Sequence, residues 1–271
     1  MSKVTIGLDI AKSVFHLVFM NQSGRVLRKK KLRRHQMLSY FSQLEPCIVV
    51  MEACGSCHYW CRELTKAGHE VKAIAPQYVV AYRKGNKHDY NDAEAIAEAS
   101  QREGMRFVPF KSQEQQDIQL MHRIRERMIA QQTALSNQIR GSLAEYDIVY
   151  ARGVATVVKE LPFTLEEADN GLSMLARQLF QGLFNDLLVL RERIKEMDKE
   201  LKAFAQNHPV CERLMSMTGI GPLIATALYA GIGQGQAFNS GRHLAAWLGI
   251  VPKQHTTGDN PRLLGISKRG N

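Results

Sequence analysis

The chain has 271 residues, and its 36 Lys and Arg outnumber its 26 Asp and Glu to give a net charge of +10. This excess excludes the ordinary acidic cytosolic protein and favours a polyanionic partner, either nucleic acid or an anionic membrane surface. Because 45% of the residues are hydrophobic, the chain can bury a sizeable core, which argues against disorder.

The first 110 residues predict alternating strands and helices. Short apolar runs predict strands over residues 4–9, 14–20, 25–32, 47–51 and 71–75, and helical patterns cover 35–44, 59–67 and 89–102. The first three strands form two consecutive hairpins, and helices follow them. This order indicates a mixed sheet with an antiparallel start, and therefore an α/β fold.

The pattern changes from residue 112 onward. Apolar residues at helical spacing predict a long amphipathic helix over residues 112–145 and a second one over 165–204. Residues 146–163, which include Gly153 and Pro162, predict a turn between them. The two helices are typical of a coiled coil, although a plain helical hairpin has the same pattern. Beyond residue 208 we expect shorter helices broken by glycines and a basic, turn-rich tail. The expected domains are residues 1–110, 111–207 and 208–271.

Acidic residues follow two of the predicted strands. Asp9 ends the first strand and Glu52 ends the fourth, while Asp89 and Asp92 begin a helix. An acid at the end of an apolar strand is unusual, and two such strands side by side would bring their carboxylates to one edge of the sheet. Convergent carboxylates repel one another unless a cation neutralises them, and Mg²⁺ prefers oxygen ligands. The four acids therefore predict a Mg²⁺ site suited to phosphodiester chemistry.

Three of the four acids also have a structural interpretation. Asp89 and Asp92 could be helix N-terminal acids that the helix dipole favours, and Asp9 could be a turn residue. Taken alone, the helix-end interpretation of the aspartate pair is the better one. Taken together, and with this order of strands and helices, the four acids favour the metal site.

The cysteines predict packing and not a zinc site. Cys54, Cys57, His58 and Cys61 supply only half of the usual ligand arrangement, because no second Cys pair follows. We expect small buried residues there. The five cysteines of the chain, with no apolar leader at the N-terminus, indicate free thiols in the cytoplasm. No apolar run approaches the ~20 residues of a membrane span, so we expect no membrane partner.

Two C-terminal features predict contacts with nucleic acid. Gly219 and Gly221 lie between two predicted helices, where backbone N–H groups can bind a phosphate, although a tight internal turn would have the same sequence. The tail carries Thr256 and Thr257, whose hydroxyls could serve as a nucleophile or as phosphate contacts. The basic residues of the tail that can meet phosphates are Lys253, Arg262, Lys268 and Arg269.

These residues resemble a known family along essentially the whole chain. The chain is similar to the insertion-sequence transposases related to the Piv site-specific invertase, whose characterised members are bridge-RNA-guided recombinases. The matching motifs are Gly7-Leu8-Asp9, Met51-Glu52-Ala53-Cys54-Gly55-Ser56, the run from Asn86 to Ala95, Gly219-Ile220-Gly221-Pro222, and the run from Gly265 to Asn271.

The resemblance implies a specific architecture and chemistry. It implies an N-terminal domain like the RuvC resolvase, of the RNase H type, a coiled-coil middle, and a C-terminal transposase domain with a helix-hairpin-helix-like turn. The acids Asp9, Glu52, Asp89 and Asp92 match the family's Mg²⁺-binding tetrad. In that family a serine near the C-terminal basic motif attacks DNA and holds it covalently. The acids and the serine come from different subunits of an RNA-bound assembly, so we expect a dimer or tetramer.

The sequence departs from the family pattern twice. Where the family has a Ser pair before Gly-Gly, this chain has Thr256 and Thr257 before Gly258, and Thr257 is the equivalent of the serine. The hydroxyl of Thr257 is secondary, and its side chain is β-branched, so the oxygen is more crowded than that of a serine. The sequence also ends at Asn271 where relatives continue, so we expect a truncated or decayed copy.

The sequence as a whole predicts a Mg²⁺-dependent DNA transposase or site-specific recombinase, guided by RNA. Two alternatives stay open. One is a junction-resolving endonuclease that uses the acids with water and needs no hydroxyl. The other is a nucleic-acid-binding remnant that keeps the basic surface but cannot cut.

Overall fold

A computed structural model of the chain describes residues 4–84, 88–258 and 260–267. The chain divides into two compact units. The first contains residues 1–112 and 235–271, and the second contains residues 113–234. The division predicted at residues 110 and 207 stays a prediction. None of the described helices is long and apolar enough to cross a membrane.

The first unit is built on a six-stranded mixed sheet. Its strands are β1 (Thr5–Ile10), β2 (Val14–Met20), β3 (Val26–Arg33), β4 (Ile48–Glu52), β5 (Glu70–Ile74) and β6 (Phe107–Val108). The strand order is β3-β2-β1-β4-β5-β6. β1, β2 and β3 pair antiparallel, β4 and β5 are parallel to β1, and β6 is antiparallel to β5. The predicted mixed sheet with an antiparallel start is confirmed.

Among the described residues, four α-helices accompany the sheet, and the core lies on both of its faces. They are α1 (Met37–Phe41), α2 (Cys57–Lys66), α3 (Pro76–Val79) and α4 (Asp89–Ser100). Leu8 of β1 packs with Trp60 of α2 on one face, and Val50 of β4 packs with Ile96 of α4 on the other. Successive side chains of a strand alternate between these faces, so the central strands β1, β2 and β4 are largely apolar, whereas the edge strand β3 exposes its basic residues.

Helix α4 packs directly on β1, and Gly7 allows this close approach. A Cβ on Gly7 would lie 2.0 Å from the carbonyl oxygen of Ala93 and 2.9 Å from the Cβ of Ala97. Only glycine in the strand and small residues in the helix fit such a distance. This contact fixes the start of α4 over the end of β1, where Asp9 lies.

The cysteines of α2 are packing residues. Cys57 and Cys61 are buried in the core, with their sulfur atoms 3.7 Å apart. Cys54, which precedes the helix, is exposed. His58 accepts a hydrogen bond at Nδ1 from the backbone N–H of Lys111 (3.1 Å). The interpretation as small buried residues therefore fits Cys57 and Cys61 but not Cys54.

The second unit is helical. Its helices are α5 (Gln113–Ala144), α6 (Val154–Glu166), α7 (Met174–Asn207), α8 (Pro209–Met215) and α9 (Pro222–Ile232). The long helices α5 and α7 pack against one another through Ile118 and Leu201 and through an ion pair between Arg125 and Asp198. The two predicted long helices are confirmed, whereas the coiled coil stays a prediction.

The predicted turn over residues 146–163 is wrong in its second half, because α6 begins there. Gly153 stands just before the helix, and Pro162 lies inside it. Val157 and Leu161, four residues apart, are fully buried against residues of α5 and α7. The free energy gained by burying these two side chains outweighs the loss of the helix hydrogen bond that Pro162 cannot donate. The second long helix consequently begins at Met174, with Ser173 as its N-cap, and not at Leu165.

The C-terminal tail also differs from the expectation. Helix α10 (Gly241–Trp247) is followed by β7 (Pro252–Thr257) and β8 (Asn260–Ile266), which form an antiparallel hairpin. The tail is thus a β-hairpin and not a turn-rich extension of a helical domain. Gly258, with φ of 62°, provides the left-handed backbone that the turn requires.

Candidate metal centre

Two predicted acids lie at the ends of neighbouring parallel strands. Leu8 of β1 is paired with Met51 of β4, so Asp9 and Glu52 each follow the paired residue on their own strand. Both side chains are half-buried. Because side chains alternate along a strand, Asp9 lies on the same face as Gly7, and Glu52 on the same face as Val50. This is the face that α4 covers.

The beginning of α4 brings a third acid to this face. His88 caps the helix, with Nδ1 accepting a hydrogen bond from the backbone N–H of Tyr90 (3.2 Å). Asp89 is the first residue of the helix and is exposed. The close packing at Gly7 determines where this end of α4 lies, so a single glycine controls how Asp89 approaches Asp9.

His16 is the third member of the cluster, and the sequence interpretation missed it. It lies on β2 directly opposite Asp9, and its side chain is 9% exposed. Its Nδ1 is 3.3 Å from Oδ2 of Asp89, and its ring packs edge-on against Tyr90 at 4.7 Å. One ligand atom from each of Asp9, His16 and Asp89 lies within 4.8 Å of the other two.

The remaining members of the predicted tetrad are placed differently. Asp92 has a side chain that is 13% exposed, and its Oδ1 lies 2.5 Å from Nε of Arg83, which neutralises its charge. Among the described residues, the group that could hold a metal contains Asp9, His16 and Asp89 and does not include Glu52 or Asp92. The structure thus brings together two of the four acids.

The electrostatics of the site follow from burial and from its charges. Burial lowers the pKa of His16, the Asp89 carboxylate opposes this shift, and the charges of Lys31 and His88 add to it. Near the site, Cys54 is exposed as a residue, but desolvation of its sulfur and the negative charges of Glu52 and Asp9 raise the pKa of its thiol to about 11. The site itself therefore contains a neutral imidazole beside its carboxylates at neutral pH.

This donor set fits a divalent cation. Asp9 and Asp89 offer carboxylate oxygens at a short separation, where a cation would relieve their repulsion. Nδ1 of His16 is a buried nitrogen that has no hydrogen-bond partner within the described part of the chain. A ring nitrogen in this position can complete a site of mixed oxygen and nitrogen ligands.

The predicted nucleophile lies on the exposed hairpin. All six residues of β7 are exposed, and Thr257 is paired with Asn260 at its end. The hydroxyl of Thr256 accepts a hydrogen bond from Nε2 of Gln254 (3.0 Å). Because neighbouring side chains of a strand point to opposite faces, Thr257 points away from that pair.

The predicted nucleic-acid contacts are exposed where the structure describes them. Gly219 has a φ of 90°, and Gly221 is the N-cap of α9, with open space where a side chain would begin at either glycine. Lys253 and Arg262 are exposed on β7 and β8. Lys268 and Arg269 lie outside the described residues.

Comparisons with known proteins agree with the motifs of the chain. Residues 6–148 match a family model described as a transposase, of the DEDD type found in IS110, and residues 211–271 match the model of the transposase IS116/IS110/IS902 family. The chain is 44% identical to a probable family 20 transposase of Pseudomonas aeruginosa, over 98% of this chain and 79% of that protein.

Two further relatives are a transposase of an insertion sequence and a protein that inverts a pilin gene. The chain is 42% identical to the transposase for insertion sequence element IS1111A of Coxiella burnetii, over 98% of this chain and 73% of that protein. It is 24% identical to the pilin gene-inverting protein of Moraxella bovis, over 95% of this chain and 75% of that protein. The chain therefore belongs to the IS116/IS110/IS902 family of transposases.

Proposed function

We propose that the protein is the transposase of an insertion sequence and that it cuts and rejoins DNA at a divalent-metal site on the α4 face of its sheet. The observation that carries this proposal is the meeting of Asp9, His16 and Asp89, whose ligand atoms lie within 4.8 Å of one another. The strand order β3-β2-β1-β4-β5-β6 supports the RuvC-like, RNase H type arrangement expected for this domain.

Each of the four acids would contribute to the binding of Mg²⁺. Asp9 and Asp89 supply the closest pair of carboxylates, and Glu52 extends the site along the edge formed by β1 and β4. Asp92 completes the tetrad after its carboxylate leaves Arg83, whose guanidinium can then contact a phosphate. When bound, the cation stabilises the negative charge that develops on a phosphodiester during substitution.

Thr257 supplies the nucleophile in this proposal. Its hydroxyl oxygen attacks the phosphorus of one DNA strand, a DNA hydroxyl leaves, and the resulting protein–DNA ester preserves the bond for rejoining. The end of an exposed β-hairpin suits this role, because a duplex can approach it without displacing other elements. The secondary hydroxyl of threonine makes the attack slower than that of a serine.

Basic and glycine residues bind the nucleic acids. Lys253, Arg262, Lys268 and Arg269 meet the phosphates of DNA or of a guide RNA, and the backbone N–H groups at Gly219 and Gly221 form a phosphate-binding turn at the start of α9. These contacts recognise the backbone and not the bases. The guide RNA would therefore determine which DNA sequence is recognised.

The active assembly is a homo-oligomer, a dimer or tetramer in which Thr257 of one subunit meets the acids of another. The hairpin supports this arrangement, because β8 exposes the large apolar side chains of Leu263, Leu264 and Ile266. Exposed large apolar side chains grouped in this way are typical of a surface that a partner covers.

The decisive test is a denaturing gel with labelled target DNA, Mg²⁺ and RNA transcribed from the sequence that flanks the gene. We expect a denaturant-resistant protein–DNA adduct that Thr257→Ala removes, Thr257→Ser increases and Thr256→Ala changes little. Cleaved DNA without an adduct would instead indicate an endonuclease that uses water. Binding without cleavage in any variant would leave a nucleic-acid-binding protein that does not cut.

A further inference from the structure

His16 occupies an unusual position for a histidine. It is 7% exposed, in a strand whose other residues from Phe15 to Met20 are apolar and buried. Its Nδ1 has no hydrogen-bond partner within the described residues, because the 3.3 Å approach to Oδ2 of Asp89 lacks the alignment of a hydrogen bond. A buried polar atom left in this state costs free energy, so it needs another partner.

The direction of the ring nitrogen indicates what that partner is. The strand register places His16 opposite Asp9, and Asp89 reaches the same point from the start of α4. Tyr90 packs edge-on against the imidazole and restricts its orientation. Nδ1 thus lies beside the Asp89 carboxylate, and a ring nitrogen of His16 lies within 4.8 Å of the Asp9 carboxylate, which is the arrangement of a metal ligand.

We propose that His16 is itself a ligand of the catalytic cation, so that the site is a mixed nitrogen and oxygen site and not one of carboxylates alone. This inference rests on the proposed metal-dependent function. Imidazole is a weak ligand for Mg²⁺, which prefers oxygen. Mn²⁺ also prefers oxygen but, as a first-row transition metal ion, accepts an imidazole nitrogen beside carboxylates more readily than Mg²⁺ does. The site accordingly binds Mn²⁺ more tightly than Mg²⁺, although Mg²⁺ can still be held by the acids.

The alternative role for His16 is to orient Asp89 without touching the cation. The two roles differ in what they place next to the metal. A ligand puts a nitrogen nucleus in direct contact with bound Mn²⁺, which pulsed electron paramagnetic resonance detects as a ¹⁴N hyperfine coupling. A positioning residue leaves only oxygen atoms around the ion, and its loss lowers the affinities for Mn²⁺ and Mg²⁺ by similar factors.

The experiment titrates the full-length chain with Mn²⁺ and with Mg²⁺, and records the resonance spectrum of the Mn²⁺-bound protein. We expect a ¹⁴N coupling in the parent chain that is lost in His16→Gln, together with a fall in Mn²⁺ affinity of about tenfold or more. Affinity for Mg²⁺ should change much less. His35→Gln, at an exposed position of the same unit, is the matched control and should keep both the coupling and the affinity.

The outcomes separate this proposal from the proposed function. Bound Mn²⁺ without a ¹⁴N coupling, or a coupling that persists in His16→Gln, would overturn the ligand role and leave the metal-dependent function intact. Equal Mn²⁺ binding by the parent chain and by Asp9→Ala would overturn the metal site itself. If His16→Gln does not fold, as judged by its thermal unfolding, His16→Asn takes its place, and the spectrum of the parent chain still decides.

Discussion

The six-stranded sheet and the β7–β8 hairpin hold their reactive groups in opposite ways. Asp9 follows Leu8, which is fully buried, and α4 is locked against the same strand at Gly7. By contrast, all six residues of β7 are exposed, Thr257 among them. A group at the end of a buried strand keeps one position, whereas the exposed hairpin is held mainly by the pairing of its own two strands.

Under the proposed function, this difference separates metal binding from nucleophilic attack. The sheet would then build the metal-binding part of the site within one chain, so that part would exist before any substrate arrives. The hairpin would present its hydroxyl and its exposed apolar side chains to a partner subunit. Changes in the sheet should therefore alter stability and metal binding, while changes in the hairpin should alter DNA binding, reaction and assembly but leave stability and metal binding nearly unchanged.

The largest expected effect comes from removing one reactive group in each region. Asp9→Ala and Thr257→Ala should both abolish formation of the protein–DNA adduct, but for different reasons. Asp9→Ala should weaken Mn²⁺ binding, because one of the two closest carboxylates is lost, whereas Thr257→Ala should leave it unchanged. The measurements are a denaturing gel and a metal titration on the same preparations.

Nucleic-acid binding should survive both substitutions, because basic residues make the backbone contacts. Thr256→Ala is the matched control in the hairpin, and it should change the adduct little. Loss of metal binding in Thr257→Ala would contradict the separation of the two regions.

A second test makes the same substitution, Gly→Ala, in each region. Gly7→Ala places a Cβ 2.0 Å from a backbone oxygen of α4, which cannot move without lifting the helix. We expect the free energy of unfolding to fall by about 3 kcal/mol, at the upper end for an overpacked core. Gly265→Ala, where a Cβ would meet nothing within 4 Å, should stay within about 0.5 kcal/mol.

Urea-induced unfolding followed by circular dichroism measures both changes. A similar effect at the two positions would contradict the contrast between a packed strand and an exposed hairpin. Gly7→Ala should also weaken Mn²⁺ binding, since displacement of α4 moves Asp89 away from Asp9.

The third test concerns charge. Lys253→Gln or Arg262→Gln should each weaken DNA binding and reduce the slope of log affinity against log salt by about one. Lys30→Gln is the contrasting variant in the sheet, because Nζ of Lys30 lies 4.1 Å from the centre of the Tyr40 ring and is engaged with it. For Lys30→Gln, the slope of log affinity against log salt should stay near that of the parent chain.

Fluorescence anisotropy with labelled DNA between 50 and 200 mM salt measures these slopes. For the parent chain we expect a loss of affinity of about a thousandfold across this range if ~6 phosphates are neutralised. A flat response would leave the net charge of +10 without a role in binding DNA.

The sequence predicted those parts of the site that depend on local pattern. An apolar run that ends in an acid located Asp9 and Glu52, and the parallel pairing of β1 with β4 in the structure brings them to one edge. His16 was not predicted as a member of the cluster, because the prediction of the metal site was based on acidic residues alone. A polar residue inside an apolar strand, paired through a short hairpin with Asp9, was the signal that could have found it.

Tertiary contacts explain the errors elsewhere. Gly153 and Pro162 predicted a turn, but the burial of Val157 and Leu161 in the helical unit decided in favour of a helix. Gly, Pro and Thr predicted an irregular tail, whereas residues 254–257 pair one by one with residues 260–263 across a hairpin. Propensity is a local quantity, and neither packing against distant helices nor strand pairing can be deduced from it.

The smallest expected effect is a pH dependence that a histidine beside the sheet should cause and a histidine of the hairpin should not. His58 accepts the backbone N–H of Lys111 at Nδ1, so it must be neutral there. Burial lowers its pKa from 6.5, and the charges of Lys111 and Arg62 add to the shift. The unfolded chain therefore binds a proton at a higher pH than the folded chain does. This contribution to stability is complete above pH 6.5 and is lost as the pH falls toward the pKa of the folded state.

His58→Gln should flatten this dependence, because glutamine can accept the same hydrogen bond and does not titrate. Thermal unfolding between pH 7.5 and pH 5 should show a smaller fall in melting temperature for this variant than for the parent chain. His255→Gln, on the exposed β7, is the matched control and should leave the dependence unchanged. An equal flattening by both variants would assign the effect to general charge repulsion. In that case the acid sensitivity would belong to the whole basic chain and not to the hydrogen bond that His58 makes beside the sheet.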